Sequence, residues 1–140
     1  MERRKELGNQ VRKVMVIEDD PCMVSLLTTL LNMEGFSVRT PKYNHMEGLL
    51  GAICDEHPQL ALVDVNLSMG SGLDLVRNIR REPEIMDTSI LMSSGLNLKK
   101  ECIQAGADGF IMKPFMPDEL IKLINKTIQK STEFHQKEKG

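Results

Sequence analysis

The chain has 140 residues, of which 41% are hydrophobic and 27% are charged, a composition typical of a globular domain with a sizeable core. Eighteen Lys and Arg residues against twenty Asp and Glu residues leave a net charge of -2, which argues against a protein that binds nucleic acid by neutralising phosphates. Three widely spaced cysteines argue against a disulfide framework or a cysteine zinc site. No segment has the pattern of a signal peptide or a membrane span, so we expect a cytoplasmic protein.

The first half of the chain alternates between strand and helix patterns. Three short apolar runs predict strands at residues 14–17, 36–39 and 60–63. A helix with one apolar stripe is predicted to begin at Pro21, capped by Asp19 or Asp20, and to end at Gly35. A second helix is predicted to begin at a capping arrangement opened by Asn44.

The second half continues the alternation. Two further apolar runs predict strands at residues 90–92 and 110–112. A Gly/Ser-rich turn at 68–72 leads into a helix that Pro83 ends, a weakly patterned helix covers about 97–105, and a last helix runs from about 117 to 130. Strands alternating with helices in this way predict an α/β fold, with one parallel sheet covered on both faces.

Polar side chains follow four of the five predicted strands. They are Glu18, Asp19 and Asp20 after the first strand, Asp64 and Asn66 after the third, Ser94 after the fourth and Lys113 after the fifth. Open parallel sheets bind ligands beyond the carboxyl ends of their strands, so we expect these side chains to meet in one pocket.

The residue types in this predicted pocket indicate a particular chemistry. Crowded carboxylates stay ionised near neutral pH only beside a cation, and hard oxygen ligands suit Mg²⁺. Asp64, at the centre, could act as a nucleophile toward a phosphoryl group. The metal and Lys113 would offset charge on the phosphoryl oxygens, and Ser94 would donate a hydrogen bond. The pattern therefore predicts a phosphate-accepting site.

The same residues form an ordered set of motifs. These are V-I-E-D-D at 16–20, L-V-D-V-N at 62–66 with Gly72 eight residues after Asp64, S-G at 94–95 and F-I-M-K-P-F at 110–115. Over residues 12–130 the chain resembles a response-regulator receiver domain of two-component signalling. The resemblance implies a single doubly wound (βα)5 domain, a flavodoxin-like fold whose five parallel strands have the order 2-1-3-4-5.

The resemblance implies a phosphoacceptor and a metal site. Asp64 would accept the phosphoryl group. Asp19 and Asp64 would bind Mg²⁺ directly, and Asn66 would offer its backbone carbonyl. Glu18 would act through water or by shaping the acidic pocket, while Asp20 is as well explained as a helix cap.

The resemblance also implies a switch. Lys113 would contact the phosphoryl group and form a cis peptide bond with Pro114. Ser94 would be the switch hydroxyl and Phe110 the aromatic residue that moves inward with it. Together they would alter partner binding on the face formed by helix four, strand five and helix five.

Two features depart from the family pattern. Ser68 stands where the family usually has proline, which predicts a more mobile loop after Asp64. The stretch from Ser94 to Lys113 is shorter than usual, which leaves open the course of helix four and the choice of Ser94 over Ser93.

The predicted function is that of a signalling phosphoacceptor that catalyses only its own phosphorylation and dephosphorylation, and so is not a metabolic enzyme. A sensor histidine kinase or histidine phosphotransfer protein would supply the phosphoryl group to Asp64, and an unknown protein would bind downstream, without DNA or membrane contact. We expect a receiver domain at residues 12–130, short polar tails at 1–11 and 131–140, and no output domain.

Two alternatives belong to other classes. A receiver-like scaffold would bind partners without phosphorylation, which leaves the acidic pocket and Lys113 without a purpose. A Mg²⁺-dependent aspartyl phosphatase typically carries Asp-x-Asp, with the second Asp as general acid. Here Asn66 stands at that position, and an amide cannot fill the role.

Overall fold

A computed structural model describes residues 12–139, with side chains as far as residue 130. Seven strands and five helices occur in this part of the chain. The strands are β1 (Lys13–Ile17), β2 (Ser37–Arg39), β3 (Leu60–Asp64), β4 (Asn66–Leu67), β5 (Gly70–Ser71), β6 (Ser89–Ser94) and β7 (Gly109–Met112). The helices are α1 (Pro21–Met33), α2 (Met46–Glu56), α3 (Gly72–Arg81), α4 (Lys99–Ala105) and α5 (Pro117–Lys139).

Five of the strands form one parallel sheet in the order β2-β1-β3-β6-β7. Counted without the two short strands, this is the predicted order 2-1-3-4-5, and the α/β, flavodoxin-like fold is confirmed. The short strands β4 and β5 pair antiparallel in a separate ribbon, with Asn66 opposite Ser71. The sequence predicted only a turn there.

The core lies on both faces of the sheet. Alternate residues of each strand point to opposite faces, so Val14 and Val16 pack on one side of β1 while Met15 and Ile17 pack on the other. Helices α1 and α5 cover the first face, and α2, α3 and α4 cover the second. Burial on both faces explains why the central strands are apolar throughout.

The start of α2 differs from the prediction. The helix is capped by His45 rather than Asn44, with a ring nitrogen, Nδ1, accepting a hydrogen bond of 3.2 Å from the backbone N–H of Gly48. A Cβ at position 48 would lie 3.3 Å from the His45 ring, so the glycine leaves room for this cap.

The last two helices also differ from their predicted bounds. Helix α4 begins at Lys99, later than the predicted residue 97, and is only seven residues long. Helix α5 continues to Lys139 instead of ending near residue 130, so the expected tail at 131–140 is helical up to Lys139. Polarity does not end a helix: residues 131–139 contain no Pro or Gly and include strong helix formers such as Glu, Gln and Lys. The predicted tail at residues 1–11 lies outside the described residues.

Even α5, the longest helix, carries too many charges to cross a bilayer. Within the described residues no helix is both long enough and apolar enough to do so.

Candidate functional site: an acidic pocket at the carboxyl edge of the sheet

Three carboxylate residues leave the carboxyl ends of two adjacent strands. Glu18 and Asp19 follow β1, and Asp64 ends β3; we call these three residues the acidic pocket. The Glu18 side chain is only 6% exposed, whereas Asp19 is exposed. The next residue, Asp20, turns away to cap α1, its Oδ1 accepting a hydrogen bond of 3.0 Å from the N–H of Cys22.

Lys113 ties the pocket together from the end of β7. Its Nζ lies 2.8 Å from Oε1 of Glu18 and 3.1 Å from Oδ2 of Asp64. The Lys113–Pro114 peptide bond is cis, as the sequence predicted. One ammonium therefore joins side chains from β1, β3 and the segment after β7, three parts of the chain that are far apart in sequence.

Asp64 is held by its own loop on the other side. The backbone N–H of Asn66 donates a hydrogen bond of 3.1 Å to Oδ1 of Asp64, while the Asn66 side chain faces solvent. The first residue of helix α3, Gly72, lies in close contact with the Asp64 backbone. A Cβ on Gly72 would lie 2.2 Å from the Asp64 carbonyl oxygen, so only glycine fits there.

Asp19 accepts hydrogen bonds from two uncharged donors. The Tyr43 hydroxyl donates to its Oδ1 at 2.8 Å, and the backbone N–H of Ser68 donates to its Oδ2. Proline at position 68 would have no N–H to donate. The β4–β5 ribbon and this bond to Asp19 both contact the segment, and the greater mobility of the loop stays a prediction.

The charges of the pocket shift the pKa values of its members. Burial raises the pKa of Glu18, and Asp64 raises it further, against the opposing hydrogen bonds from Lys113 and the backbone. Burial alone would lower the pKa of Lys113, but hydrogen bonds to Glu18 and Asp64 outweigh it and raise the pKa. The pKa of Tyr43 is raised by burial and then by all three carboxylates of the pocket. One hydroxyl and one ammonium thus sit in the field of three carboxylates.

The two predicted switch residues lie on neighbouring strands. Ser94 ends β6 and is 1% exposed, and its Oγ accepts a hydrogen bond of 3.1 Å from the N–H of Leu96. Ser93, the alternative hydroxyl, is also buried and stands in register with Asp64. Phe110, in β7, is half-buried and packs against the core on the α4 side of the sheet.

The donor set of the acidic pocket suits a hard divalent cation. Its side chains offer only oxygen atoms, and one ammonium leaves three carboxylates undercompensated. Glu18 and Asp64 share the Lys113 ammonium, while Asp19 bonds to Tyr43 and Ser68, and the ligand atoms of the three residues do not all lie within 4.8 Å of one another.

A tighter cluster lies elsewhere. Among the described residues, the potential ligand atoms that all fall within 4.8 Å of one another belong to Cys54, Glu82 and Glu84. Burial and a hydrogen bond with Glu84 raise the pKa of the Cys54 thiol. A raised pKa makes loss of the thiol proton, which metal binding requires, less favourable.

Sequence reasoning found the strand-end residues and missed the two donors to Asp19. Tyr43 lies in the loop after β2, which carries no motif, and a backbone N–H such as that of Ser68 leaves no trace in composition. The chain contains a single tyrosine, but nothing in its position along the sequence relates it to residue 19.

Comparisons with known proteins show the family of this chain. The family model for the response regulator receiver domain matches residues 14–125. The cell cycle transcriptional regulator CtrA of Caulobacter vibrioides is 34% identical over 122 residues, which are 85% of this chain and 51% of CtrA. The two-component response regulator PhoP of Pseudomonas aeruginosa is 33% identical over 125 residues, 89% of this chain and 55% of PhoP. The chain spans about half the length of the curated relatives it matches.

Solved structures share the fold. The crystal structure of NtrX from Brucella abortus superposes with a TM-score of 0.79 at 26% identity, covering 91% of this chain and 29% of NtrX. The chemotaxis response regulator CheY4 of Vibrio cholerae, at 24% identity, has the same fold with a TM-score of 0.75 and covers 84% of this chain and 98% of its own. The strand order, the polar strand ends and the family match over most of the sequence lead to one conclusion: the chain belongs to the response regulator receiver domain family of two-component systems.

Proposed function

We propose that this chain is a phosphoacceptor switch in which Asp64 receives a phosphoryl group from a histidine kinase or a histidine phosphotransfer protein. The observation that carries the proposal is the placement of Lys113, whose ammonium bonds to both Glu18 and Asp64. A buried carboxylate beside a fixed cation can attack phosphorus and keep the transferred group next to positive charge.

The proposed reaction transfers a phosphoryl group from a histidine nitrogen to Asp64. An Asp64 carboxylate oxygen forms a bond to the phosphorus of a phosphohistidine, and the bond from phosphorus to the histidine nitrogen breaks. The nitrogen keeps the electron pair of that bond, and an acyl phosphate forms on Asp64. Water later hydrolyses this acyl phosphate: inorganic phosphate leaves and the free Asp64 carboxylate is restored, so the chain acts only on its own phosphorylation state.

Mg²⁺ is the cation proposed for this reaction. Asp19, Asp64 and the backbone carbonyl of Asn66 would hold it, and Glu18 would act through water. Bound there, Mg²⁺ supplies positive charge that stabilises the transferring phosphoryl oxygens. The all-oxygen donor set and the excess of carboxylates over Lys113 support this choice.

The output is proposed to lie on the face of α4, β7 and α5. The Ser94 hydroxyl already accepts from Leu96, and its own proton is available for donation to a phosphoryl oxygen. Movement of Ser94 would draw Phe110 further into the core. Apolar side chains stand exposed on the same face, with Ile103 44%, Met112 48% and Met116 62% exposed. A protein partner suits such a surface, and the net charge of -2 makes DNA a poor one.

The test is phosphorylation by acetyl phosphate with Mg²⁺, followed by intact mass. We expect one added phosphoryl group in the wild type, and none in Asp64→Asn or when Mg²⁺ is removed with a chelator. Asp74→Asn, an exposed aspartate on α3, is the matched control and should label fully. Labelling of Asp64→Asn at the wild-type level would contradict the assignment of the phosphoacceptor.

A further inference from the structure

Tyr43 occupies a special place beside the acidic pocket. It belongs to the loop between β2 and α2, and its hydroxyl donates a hydrogen bond of 2.8 Å to Oδ1 of Asp19. The Tyr43 side chain also packs against the core beneath α2, so the ring is anchored by apolar contacts while its hydroxyl reaches the carboxylate. An anchored donor restricts the acceptor more strongly than a solvent-exposed one does.

Asp19 differs from the other two carboxylates of the pocket in its partners. Glu18 and Asp64 both bond to the Lys113 ammonium. Asp19 takes part in none of the ion pairs found between residues 12 and 130, and its two oxygens accept from the Tyr43 hydroxyl and the Ser68 N–H. Its orientation is therefore fixed while its charge stays uncompensated.

We propose that Tyr43 is a positioning residue for the divalent cation: its hydroxyl holds the Asp19 carboxylate in the orientation in which it binds the metal. This inference rests on the proposed function, in which Asp19 is a Mg²⁺ ligand. An exposed aspartate would otherwise rotate freely about its side-chain bonds and would lose that freedom when the cation binds. A carboxylate oxygen has more than one lone pair, so Asp19 can keep the Tyr43 bond and still bind a cation.

Partners that orient a metal ligand from behind have a measurable effect on affinity. Loss of such a hydrogen bond typically weakens metal binding by about 10–100-fold. The Ser68 N–H remains as a second donor to Asp19 in this chain, so removal of the Tyr43 hydroxyl is expected to act at the lower end of that range.

The test compares Mg²⁺ affinity, measured by isothermal titration calorimetry on the unphosphorylated chain, between the wild type and Tyr43→Phe. The substitution keeps the packed ring and removes only the hydroxyl. We expect the Kd for Mg²⁺ to rise about tenfold. Asn44→Ala, an exposed uncharged neighbour in the same loop, is the matched control and should keep the wild-type Kd.

A second measurement separates positioning from general damage. In Tyr43→Phe the rate of phosphorylation by acetyl phosphate should fall at low Mg²⁺ and return to the wild-type rate at saturating Mg²⁺. A rate that stays low at saturating Mg²⁺ would contradict a role limited to cation binding.

The chain offers an optical check of the hydrogen bond itself. It contains one tyrosine and no tryptophan, so tyrosine emission comes from Tyr43 alone. A carboxylate that accepts a hydrogen bond from the phenol quenches this emission, so Asp19→Asn in chelator should be brighter than the wild type. Equal emission would show that the bond is absent in solution and would overturn the inference.

The outcomes distinguish this inference from the proposed function. If Asp19→Asn loses Mg²⁺ binding while Tyr43→Phe binds within twofold of the wild type or more tightly, the metal site stands and the role of Tyr43 falls. If Asp19→Asn binds Mg²⁺ as the wild type does, the proposed metal site itself is wrong, and the role of Tyr43 falls with it.

Discussion

The two ends of the sheet differ in their balance of cations and carboxylates. Near the amino edge, where β1, β6 and β7 begin, Lys13 pairs with Glu56 and Arg80 pairs with Asp108. Arg39, from the end of the short strand β2, also pairs with Glu56. These pairs supply three cations for two carboxylates. In the acidic pocket, at the carboxyl edge, there are three carboxylates and one ammonium, that of Lys113, which pairs with Glu18 and Asp64. The first group has one more cation than carboxylates, whereas the acidic pocket has an excess of negative charge.

Two glutamates measure the difference. Hydrogen bonding to Lys13 lowers the pKa of Glu56, with further lowering from the charges of Lys13 and Arg39. Burial raises the pKa of Glu18, and Asp64 adds to it. Ionisation of Glu56 thus stabilises the folded chain, whereas ionisation of Glu18 destabilises it. A pocket that binds a cation is expected to keep such an unfavourably ionised carboxylate, because functional sites often lose stability in exchange for activity.

The largest effect is expected where backbone meets backbone at the carboxyl edge. In Gly72→Ala the new Cβ would stand 2.2 Å from the Asp64 carbonyl oxygen, so α3 or β3 must shift. We expect the free energy of unfolding to fall by about 3 kcal/mol, measured by urea unfolding followed by circular dichroism.

Gly51 on α2 provides the control for that substitution. A Cβ there would meet no atom within 4 Å, and the position is exposed within a helix. Gly51→Ala should raise the free energy of unfolding by about 0.5–1 kcal/mol, because alanine favours helix. A Gly72→Ala protein as stable as the wild type would show that the approach of α3 to Asp64 is not tight in solution.

A smaller effect is expected from replacing Arg80, which makes several hydrogen bonds near the amino edge. The Arg80 side chain donates to the carbonyls of Gly106, Met86 and Thr88 and to the Asp108 carboxylate, at 2.6–2.9 Å. Arg80→Met keeps much of the apolar stem and leaves these acceptors without their donor. We expect a loss of about 2 kcal/mol in urea unfolding.

Arg77, one turn earlier on α3, tests whether that loss reflects these hydrogen bonds or merely a lost charge. Its ion pair with Asp74 joins two side chains that are 46% and 61% exposed. Arg77→Met should change stability by only about 0.3 kcal/mol. Equal losses in the two variants would contradict the distinction between half-buried Arg80, with its several acceptors, and the exposed Arg77 ion pair.

The smallest expected effect is the pH-dependent contribution of Glu56 to stability. Because the pKa of Glu56 is lowered in the folded chain, its ionised form stabilises the fold above the ordinary value of 4.5, and this contribution is lost as the pH falls below it. Glu56→Gln should therefore be less stable than the wild type at pH 7, by about 0.5 kcal/mol because the side chain is 37% exposed, and this difference should disappear as the pH falls through the lowered pKa of Glu56.

Glu18→Gln is the counterpart at the other edge. Because the pKa of Glu18 is raised in the folded chain, its ionised form lowers the free energy of unfolding at pH 7. In chelator at that pH, Glu18→Gln should therefore be more stable than the wild type. Urea unfolding of both variants tests the pair. A loss of stability in both would show that the two edges do not differ in sign.

How far the sequence could predict these features depends on how local their causes are. Apolar runs and the polar residues after them are local, so the strands, their order and the convergence of Asp64 with Lys113 were predicted. Helix ends depend on single contacts: α2 is capped by His45, whose ring would lie 3.3 Å from a Cβ at position 48. The extension of α5 was missed because polar composition was taken as a sign of an irregular tail.

The contacts around Asp19 were beyond prediction for a different reason. The Tyr43 hydroxyl is brought there by the packing of a loop, and the Ser68 N–H by the β4–β5 ribbon. Neither segment has a periodic pattern of its own. Residue spacing predicts which strand ends meet, but it does not predict which loop atoms fill the space between them.

The alternation of side chains along β3 has a consequence for how this chain can vary. Leu60 and Leu62 face one layer of helices, and Ala61 and Val63 face the other. Inserting or deleting a single residue within the strand would exchange the two sets and rotate Asp64 out of reach of Lys113. Of the changes in the length of β3, only those in steps of two would therefore keep both sets of side chains on their own faces of the sheet.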